Sequence, residues 1–245
     1  MIVFDNVSFT YPSGSKALHD LSFHIREGEQ VGLIGANGSG KSTLMKAALG
    51  LISVQGAITV DGKPMNSQNL ADIRKILGFV LQDSDNQMFM PTVAEDMLFG
   101  PLNYGLSREE AEKDIDATLE ELNLTHLKYR HNHQMSGGEK RMAAIATILT
   151  MHPKVMLMDE PSAALDPRNR RKLIQTLNSL SVTKVIATHD LDLVLETCDR
   201  VLLLSGGTIV ADGSADIILR DRKLLEDNSL ELPFCLAGVP QRPDR

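Results

Sequence analysis

The sequence has 245 residues, of which 42% are hydrophobic and 23% are charged. These proportions are ordinary for a soluble globular protein and exclude disordered, collagen-like and coiled-coil chains. The length predicts one large domain, or a core with a smaller lobe. The formal net charge of −7, an aromatic content of 4% and the absence of tryptophan argue against a protein that binds nucleic acid.

No segment of the sequence predicts a membrane helix or a secretion signal. The longest nearly apolar stretch, Met142 to Met151, is about half of the ~20 residues that cross a bilayer. The N-terminus lacks the basic and apolar regions of a signal peptide, so we expect a cytoplasmic protein. Cys198 and Cys235 have no metal-ligand spacing, and we expect them to be reduced thiols that pack as small apolar groups.

In chain order, the hydrophobic pattern first predicts strands. Alternating apolar and polar residues indicate strands over 1–11 and 17–25. A short apolar strand over 30–34 leads directly into a glycine-rich loop. A helix is predicted over 42–49, and a strand over 56–60 ends at an Asp-Gly turn.

The middle of the sequence is predicted to be helical. Ser107 and Glu110 have the spacing of a capping box, which predicts a helix to about residue 122. Ser136 opens a second helix to about residue 150. Strands return over 155–158 and 184–188 and in a hairpin over 200–210. Strands on both sides of a helical insertion indicate an α/β core with an inserted helical lobe.

Residues 35–42, Gly-Ala-Asn-Gly-Ser-Gly-Lys-Ser, have the pattern of a phosphate-binding loop between a strand and a helix. Glycines let successive N–H groups point at an anion, near the positive end of the following helix. Lys41 is expected to reach the β- and γ-phosphates of a nucleotide, and the Ser42 hydroxyl to ligate Mg²⁺. The alternative, a fortuitous glycine-rich turn, is disfavoured by the strand–loop–helix context.

Two adjacent acids follow the apolar strand over 155–158. Asp159 is expected to hold Mg²⁺, mostly through water, and Glu160 to point elsewhere, where the base for an attacking water is needed. A solvated turn or helix cap is the alternative for paired acids at a strand end. The apolar strand and the phosphate loop together favour a nucleotide site.

Three further segments occur in a characteristic order with these motifs. Residues 135–141 read Met-Ser-Gly-Gly-Glu-Lys-Arg, residues 163–166 Ala-Ala-Leu-Asp, and residues 188–190 Thr-His-Asp. The whole order resembles the ATP-binding cassette (ABC) ATPases, from Tyr11 to about Gly213. The resemblance implies an α/β fold: a P-loop NTPase (RecA-like) core with an N-terminal antiparallel β subdomain and an inserted α-helical subdomain.

The resemblance also implies boundaries and an activity. A single ABC ATPase domain spans residues 1–245, with 1–84 and 152–213 as the nucleotide-binding core, 85–151 as the helical subdomain and 214–245 as a C-terminal tail. The implied reaction is hydrolysis of ATP, with Mg²⁺, coupled to transmembrane transport.

Individual residues match positions of the family pattern. Glu160 resembles the general base, His189 the residue that contacts the γ-phosphate and steadies the water, and Gln82 the glutamine that links the metal site to the helical subdomain. The implied metal ligands are Ser42, Gln82 and Asp159. The implied nucleotide-binding residues are Tyr11, which stacks on adenine, and Gly35, Asn37, Gly38, Ser39, Gly40, Lys41, Ser42, Thr43, Ser136, Gly137, Gly138 and Asp166. For Tyr11, an aromatic that covers the core is the alternative.

The family pattern implies a second ATPase subunit. Two cassettes pair head to tail around two ATP molecules, so that Ser136 and Gly138 of one close on the γ-phosphate bound by the other. Asp166 matches the acid that communicates across the dimer. The sequence departs from the usual Leu-Ser-Gly-Gly-Gln signature at Met135 and Glu139. The methionine conserves volume, whereas the glutamate adds negative charge near a phosphate and puts the rate of hydrolysis in doubt.

Residues 82–89 and 92–101 are similar to the ATPases of energy-coupling factor (ECF) importers. In that family this region forms a groove for coupling helices of a transmembrane T component, which works with a substrate-binding S component. The apolar Met88, Phe89, Met90 and Phe99 suit such a groove, and a lobe core without a partner is the alternative. Residues 187–200 look most like the cobalt/nickel branch. We therefore expect the ATPase of a cobalt or nickel importer, peripheral at the cytoplasmic face of the cell membrane.

Other features have simpler interpretations. His126, His131 and His133 invite a metal site, but exposed loop histidines explain them. The basic run over 168–172 is expected to be a solvated helix face rather than a nucleic-acid site. Two alternatives to an ECF ATPase remain: a cassette of a conventional importer or exporter, and a soluble regulatory cassette that acts on ribosomes or DNA. Homodimer and heterodimer also both remain open.

Overall fold

The computed structural model describes residues 1–238, and the end of the expected tail, 239–245, lies outside the described residues. The strands are β1 (Ile2–Thr10), β2 (Lys16–Ile25), β3 (Gln30–Ile34), β4 (Gln55–Val60), β5 (Lys63–Pro64), β6 (Leu77–Val80), β7 (Val155–Asp159), β8 (Thr183–Ala187), β9 (Arg200–Ser205) and β10 (Thr208–Ser214). The helices are α1 (Lys41–Ala48), α2 (Leu70–Ile76), α3 (Ser84–Gln87), α4 (Val93–Asn103), α5 (Arg108–Glu121), α6 (Gly137–Leu149), α7 (Pro167–Ser179), α8 (Leu191–Thr197), α9 (Ala215–Ile218), α10 (Arg222–Asp227) and α11 (Phe234–Ala237).

The strands form two sheets. An antiparallel sheet has the order β2-β1-β4-β5, and a second sheet has the order β10-β9-β3-β8-β7-β6. In the second sheet all pairs are parallel except β10 with β9. One core cluster joins the antiparallel sheet and α1 to strands of the parallel sheet, and another joins that sheet to the helices over 84–149. The molecule is therefore layered about the parallel sheet, as the α/β prediction requires.

The parallel strands determine where polar side chains meet. The phosphate loop follows β3, Gln82 follows β6, Glu160 follows β7, and His189 follows β8. Because the carboxyl ends of parallel strands lie at one edge of a sheet, these segments gather there, where α/β proteins bind their ligands.

Capping boxes begin the helices of the insertion. Thr92 with Glu95, Ser107 with Glu110, and Ser136 with Glu139 each exchange side-chain and backbone hydrogen bonds at the start of α4, α5 and α6. The sequence predicted the boundaries of α5 and α6 to within one or two residues. Within residues 1–238, no helix combines the length and hydropathy needed to cross a membrane.

Several elements were not predicted from the hydrophobic pattern. Helices α2 and α8 and strand β6 have only four to seven residues each, and the 11-residue α4 lies in a Met-, Phe- and Pro-rich stretch. The expectation that both cysteines pack as apolar groups was wrong for one of them. Cys198 is buried in the core, but Cys235 is exposed, and its backbone N–H donates to Asp192 at 2.9 Å.

Strand β8 buries a lysine. Lys184 is 1% exposed, and its Nζ donates to the carbonyl oxygen of Leu180 at 2.5 Å. Burial lowers the pKa of Lys184 from 10.5 to about 8. Between these values the unfolded chain binds more protons than the folded one, so this group makes stability rise with pH in that window. Below pH 8 the cost of burying the charged ammonium is fully present.

We predict that Lys184→Met raises the free energy of unfolding at pH 7 by about 2 kcal/mol, because a buried charge is replaced by an apolar side chain of similar length. Denaturant unfolding at pH 7 and pH 9.5 measures the effect, and the gain should shrink at the higher pH. Lys223→Met, at an exposed position, is the matched control. If Lys184→Met lowered the free energy of unfolding at pH 7, the inference that the buried Lys184 ammonium costs stability would be wrong.

Candidate functional site

The phosphate loop over 35–42 joins β3 to α1, and two of its glycines are required by close packing. Gly35 and Gly40 have φ angles of 152° and 112°. A Cβ on Gly35 would lie 2.1 Å from the Leu204 carbonyl oxygen, and one on Gly40 would lie 2.7 Å from the Ala17 carbonyl oxygen. The loop therefore keeps its course only with glycine at both positions, and it delivers backbone N–H groups to the start of α1.

The Lys41 side chain is buried and folds back over the loop. Its Nζ donates to the carbonyl oxygens of Gly35 at 2.6 Å and Ala36 at 3.1 Å. Burial lowers the pKa of Lys41, while the nearby charges of Glu160 and Asp159 act in the opposite direction. An ammonium held by carbonyls beside two carboxylates can turn to bind the oxygens of a phosphate.

Asp159 ends β7, and its side chain lines the same cavity as Ser42 beside the phosphate loop. Burial raises the pKa of Asp159, and interaction with the Ser42 hydroxyl opposes this rise. Gln82 lines the same cavity. A hydroxyl, a carboxylate and an amide oxygen are hard oxygen ligands, so the donor set fits Mg²⁺.

Glu160 is held in a strained backbone conformation by the end of β8. Its φ angle is 47°, which is uncommon for a residue other than glycine. Its Oε2 accepts from the Thr188 hydroxyl at 2.8 Å, and its Oε1 accepts from the His189 backbone N–H at 3.2 Å. The Nδ1 atom of His189 lies 2.9 Å from Oε1. These contacts aim one nearly buried carboxylate into the site.

A cavity of about 470 Å³ lies along the loop. Its walls are Tyr11, Ser15, Lys16, Ala17, Asn37, Gly38, Gly40, Lys41, Ser42, Thr43, Gln82, Asp159, Glu160 and His189. The hydroxyl groups of Tyr11 and Thr43 share a hydrogen bond of 2.8 Å. Gly35 and Ser39 lie buried in the loop behind this wall, and within the described residues the Ser39 hydroxyl has no hydrogen-bond partner. The cavity thus gathers most of the residues singled out in the sequence.

The signature residues Ser136, Gly137 and Gly138 are not in the wall of this cavity. Ser136 caps α6, and the Glu139 carboxylate accepts from its backbone N–H at 2.8 Å and from its hydroxyl at 2.7 Å. These bonds lower the pKa of Glu139. The negative charge that Glu139 adds to the signature therefore stabilises the N-terminus of α6.

Asp166 caps α7 and contacts the signature helix through Asn169. The Asn169 amide donates to Asp166 at 2.7 Å, and a Cβ on Gly138 would lie 2.3 Å from the Cγ of Asn169. Asp166 is likewise absent from the wall of the phosphate cavity. Within one chain, the structure separates the signature and Asp166 from the phosphate loop.

Sequence reasoning missed the side chains that hold the Gln82 segment. The buried Arg141 donates to the carbonyl oxygen of Leu81 at 2.6 Å and also to that of Gln82. Gln87 accepts from the Leu81 N–H at 2.9 Å and donates to the Ala144 carbonyl oxygen at 2.7 Å. The Gln82 segment is thereby attached to α6, the signature helix. Arg141 is the last residue of the signature segment over 135–141, but the sequence pattern does not indicate that its side chain is buried.

The apolar segment after Gln82 divides between core and surface. Met88 is 5% exposed and belongs to the core, which corrects the expectation that it lines a groove. Phe89 and Phe99 are exposed, with ring centroids 4.9 Å apart and ring planes at 87°. Leu102 is also exposed, and Met90 is half-buried. We call Phe89, Met90, Phe99 and Leu102 the aromatic surface.

The histidines between the helices are exposed, as expected for loop histidines. His131 lies with its Nδ1 atom 3.1 Å from the Pro91 carbonyl oxygen, and its ring stacks on that of His133. His126 is exposed as well. In the part of the chain that the structure describes, no three or more His, Cys, Asp or Glu side chains are grouped as a metal site.

Comparison with known proteins places this geometry in a family. A family model described as ABC transporter matches residues 18–163. A putative ABC transporter ATP-binding protein of Gloeobacter violaceus is 44% identical over 238 residues, which cover 96% of this chain and 98% of the relative. The energy-coupling factor transporter ATP-binding protein EcfA of Carboxydothermus hydrogenoformans is 40% identical over 234 residues, covering 94% and 86%.

A solved structure shows the same fold. The cbiO1 protein of Clostridium perfringens, part of the ABC transporter complex cbiONQ, superposes with a TM-score of 0.82 at 33% identity and covers 95% of both chains. The resemblance and the fold class inferred from the sequence are thereby confirmed. The chain belongs to the ATP-binding subunits of ABC transporters, and it is an ATPase whose relatives include those of energy-coupling factor transporters.

Proposed function

We propose that this ATPase powers an ECF-type importer together with a transmembrane T component and a substrate-binding S component. The observation that carries the proposal is the aromatic surface on the helical insertion. Phe89 and Phe99 are 62% and 46% exposed, although both are large apolar side chains. An exposed apolar patch marks an interaction site, and flexible Met90 suits a groove that receives a helix. Similarity to EcfA proteins supports a membrane helix as the occupant.

The proposed location and cargo follow from the same similarity. A subunit that docks on a membrane component lies at the cytoplasmic face of the cell membrane as a peripheral protein. Cobalt or nickel is the proposed cargo, supported by the resemblance of residues 187–200 to that branch. The cargo itself passes through the S component, so this chain needs no site for it.

In the proposed hydrolysis, Lys41 and the loop N–H groups bind the phosphates of ATP. Ser42, Asp159 and Gln82 would hold Mg²⁺, whose positive charge would neutralise the phosphate oxygens. Glu160 orients the attacking water and accepts its proton. His189 contacts the γ-phosphate through its exposed ring, and Tyr11 stacks on the adenine. Catalysis then consists of positioning and charge stabilisation.

Two copies of the chain complete each site in this proposal. The phosphate cavity lacks Ser136, yet the start of α6 is a site for an anion. Head-to-tail pairing brings the Ser136, Gly137 and Gly138 of a second copy onto the γ-phosphate, with Asp166 at the contact. A homodimer is proposed because one chain carries both halves. ATP binding closes the pair and hydrolysis opens it, which moves the membrane helices docked on the aromatic surface.

We predict that Thr188→Val lowers kcat for ATP about tenfold to a hundredfold, since a hydrogen bond to a charged group contributes ~1.5–3 kcal/mol. The variant preserves the volume of a fully buried side chain but removes the donor to Glu160. Thr188→Ser keeps the hydroxyl and should retain most of the activity. Steady-state phosphate release measures both variants. Equal kcat in Thr188→Val and the parent would contradict the role of Thr188.

Capture from membranes tests the proposed function. The tagged chain should recover a T component with several membrane spans and an S component from detergent-solubilised native membranes. The recovered complex should bind Co²⁺ or Ni²⁺. Phe89→Ala should reduce the recovery about tenfold, as expected for an aromatic anchor at an interface. Tyr129→Ala, which alters a 75% exposed aromatic outside the aromatic surface, is the matched control.

Other captured proteins would overturn parts of the proposal. Two ordinary permease subunits would indicate a conventional importer or exporter. Ribosomal proteins or DNA would indicate a soluble regulatory cassette. Equal recovery by Phe89→Ala and the parent would remove the aromatic surface from the interface.

A further inference from the structure

The segment that displays Phe89 is held by a buried carboxylate. Oδ1 of Asp96, on α4, accepts from the backbone N–H groups of Phe89 at 3.1 Å and Met90 at 3.0 Å. Asp96 is 7% exposed, and no Lys or Arg of residues 1–238 forms a salt bridge with it. Burial raises the pKa of Asp96, and the hydrogen bonds from Met90, Asn132 and Phe89 oppose this rise. The carboxylate is thus committed to ordering two backbone amides.

Asn132 binds the same segment from another part of the chain. Its Nδ2 donates to the carbonyl oxygens of Met90 at 2.8 Å and Met88 at 3.2 Å, and it lies 3.4 Å from Oδ2 of Asp96. A backbone hydrogen bond joins the same two parts of the chain, in which the Ala94 N–H donates to the Lys128 carbonyl oxygen at 2.9 Å. Residues 88–90 belong to neither a helix nor a strand, and they are held by two side chains, one from α4 and one from the short 3₁₀ helix Asn132–Gln134.

This network has a consequence for binding. A buried carboxylate costs free energy unless hydrogen bonds satisfy it, and here those bonds serve a short loop with an exposed aromatic tip. Ordering the loop in advance fixes the edge-to-face pair of Phe89 and Phe99. A partner then meets a rigid apolar seat and loses less conformational entropy on binding.

We propose that Asp96 and Asn132 are positioning residues that preform the seat made by Phe89 and Phe99 for a helix of the membrane partner. The inference rests on the proposed function, because the occupant is the T component proposed above. It adds that recognition depends on two polar residues that hold the loop and lie outside the aromatic surface itself.

A single-tryptophan reporter tests the proposal on the isolated chain. The sequence contains no tryptophan, so Phe89→Trp supplies a unique probe in the loop. In a separate chain, Phe99→Trp supplies a matched single probe on α4. Time-resolved anisotropy measures their local motion on the nanosecond timescale. In the Phe89→Trp chain, Asn132→Asp replaces a donor by an acceptor of the same size, facing two carbonyl oxygens. Most of the slow component of the indole anisotropy decay should then be lost.

Further substitutions distinguish hydrogen bonding from packing. Asp96→Ala should free the loop as Asn132→Asp does, whereas Asp96→Asn keeps an acceptor oxygen and should retain the order. His133→Ala, beside Asn132 and exposed, is the control. The same substitutions are then made in the chain that keeps Phe89. There, Asn132→Asp should lower recovery of the membrane partner about tenfold, which corresponds to about 1.4 kcal/mol. Basal ATP hydrolysis should be unchanged.

The two readouts separate this inference from the proposed function. If Asn132→Asp and Asp96→Ala left the indole motion of the Phe89→Trp chain unchanged, the positioning role would be overturned, whatever partner is found. Loss of order without loss of recovery would overturn the need for a preformed seat. If the parent chain captured no membrane protein, the proposed function would fail together with the seat, and the anisotropy would still show whether the loop is held.

Discussion

The charge of a triphosphate is the constraint on which this structure depends. This negative charge must be met by hydrogen-bond donors and cations whose ordering costs little free energy. A parallel sheet provides them by bringing several strand ends to one edge. The phosphate loop, with Lys41 folded over it, follows the central β3, while Asp159 ends β7 and Glu160 is pinned to the end of β8 by Thr188. The geometry of the candidate site therefore comes from the order of the strands in the sheet, and the flanking helices mainly keep that order in place.

In the proposed function, the same arrangement leaves each site to be completed by a second copy of the chain. The signature begins α6 away from the phosphate cavity, and its Ser136 hydroxyl is engaged by Glu139. Arg141 and Gln87 join the Gln82 segment to that helix by hydrogen bonds. In the proposed function, this link gives a physical route by which a γ-phosphate near Gln82 would change the position of the helical insertion, including the aromatic surface.

Much of the fold and site could be predicted because the motifs are local. A glycine pattern between a strand and a helix, and two acids after an apolar strand, need no tertiary information. Arg141, Thr188 and Asn132 could not be assigned in the same way, because their roles depend on partners far along the chain. Met88 and Phe89 show the limit most clearly, since adjacent apolar residues are divided between core and surface by Asp96 and Asn132.

ATP-dependent pairing of two chains can be measured by light scattering of Glu160→Gln with Mg²⁺ and either ATP or ADP. We expect a dimer with ATP and a monomer with ADP. Gly137→Glu in the same background is the control, because a Cβ at Gly137 meets nothing within 4 Å in the single chain but would place negative charge against the γ-phosphate of the other copy. It should remain a monomer with ATP. If Glu160→Gln were a monomer under all conditions, ATP-dependent pairing would be wrong. If the Gly137→Glu chain dimerised as well as its parent, pairing through the signature would be wrong.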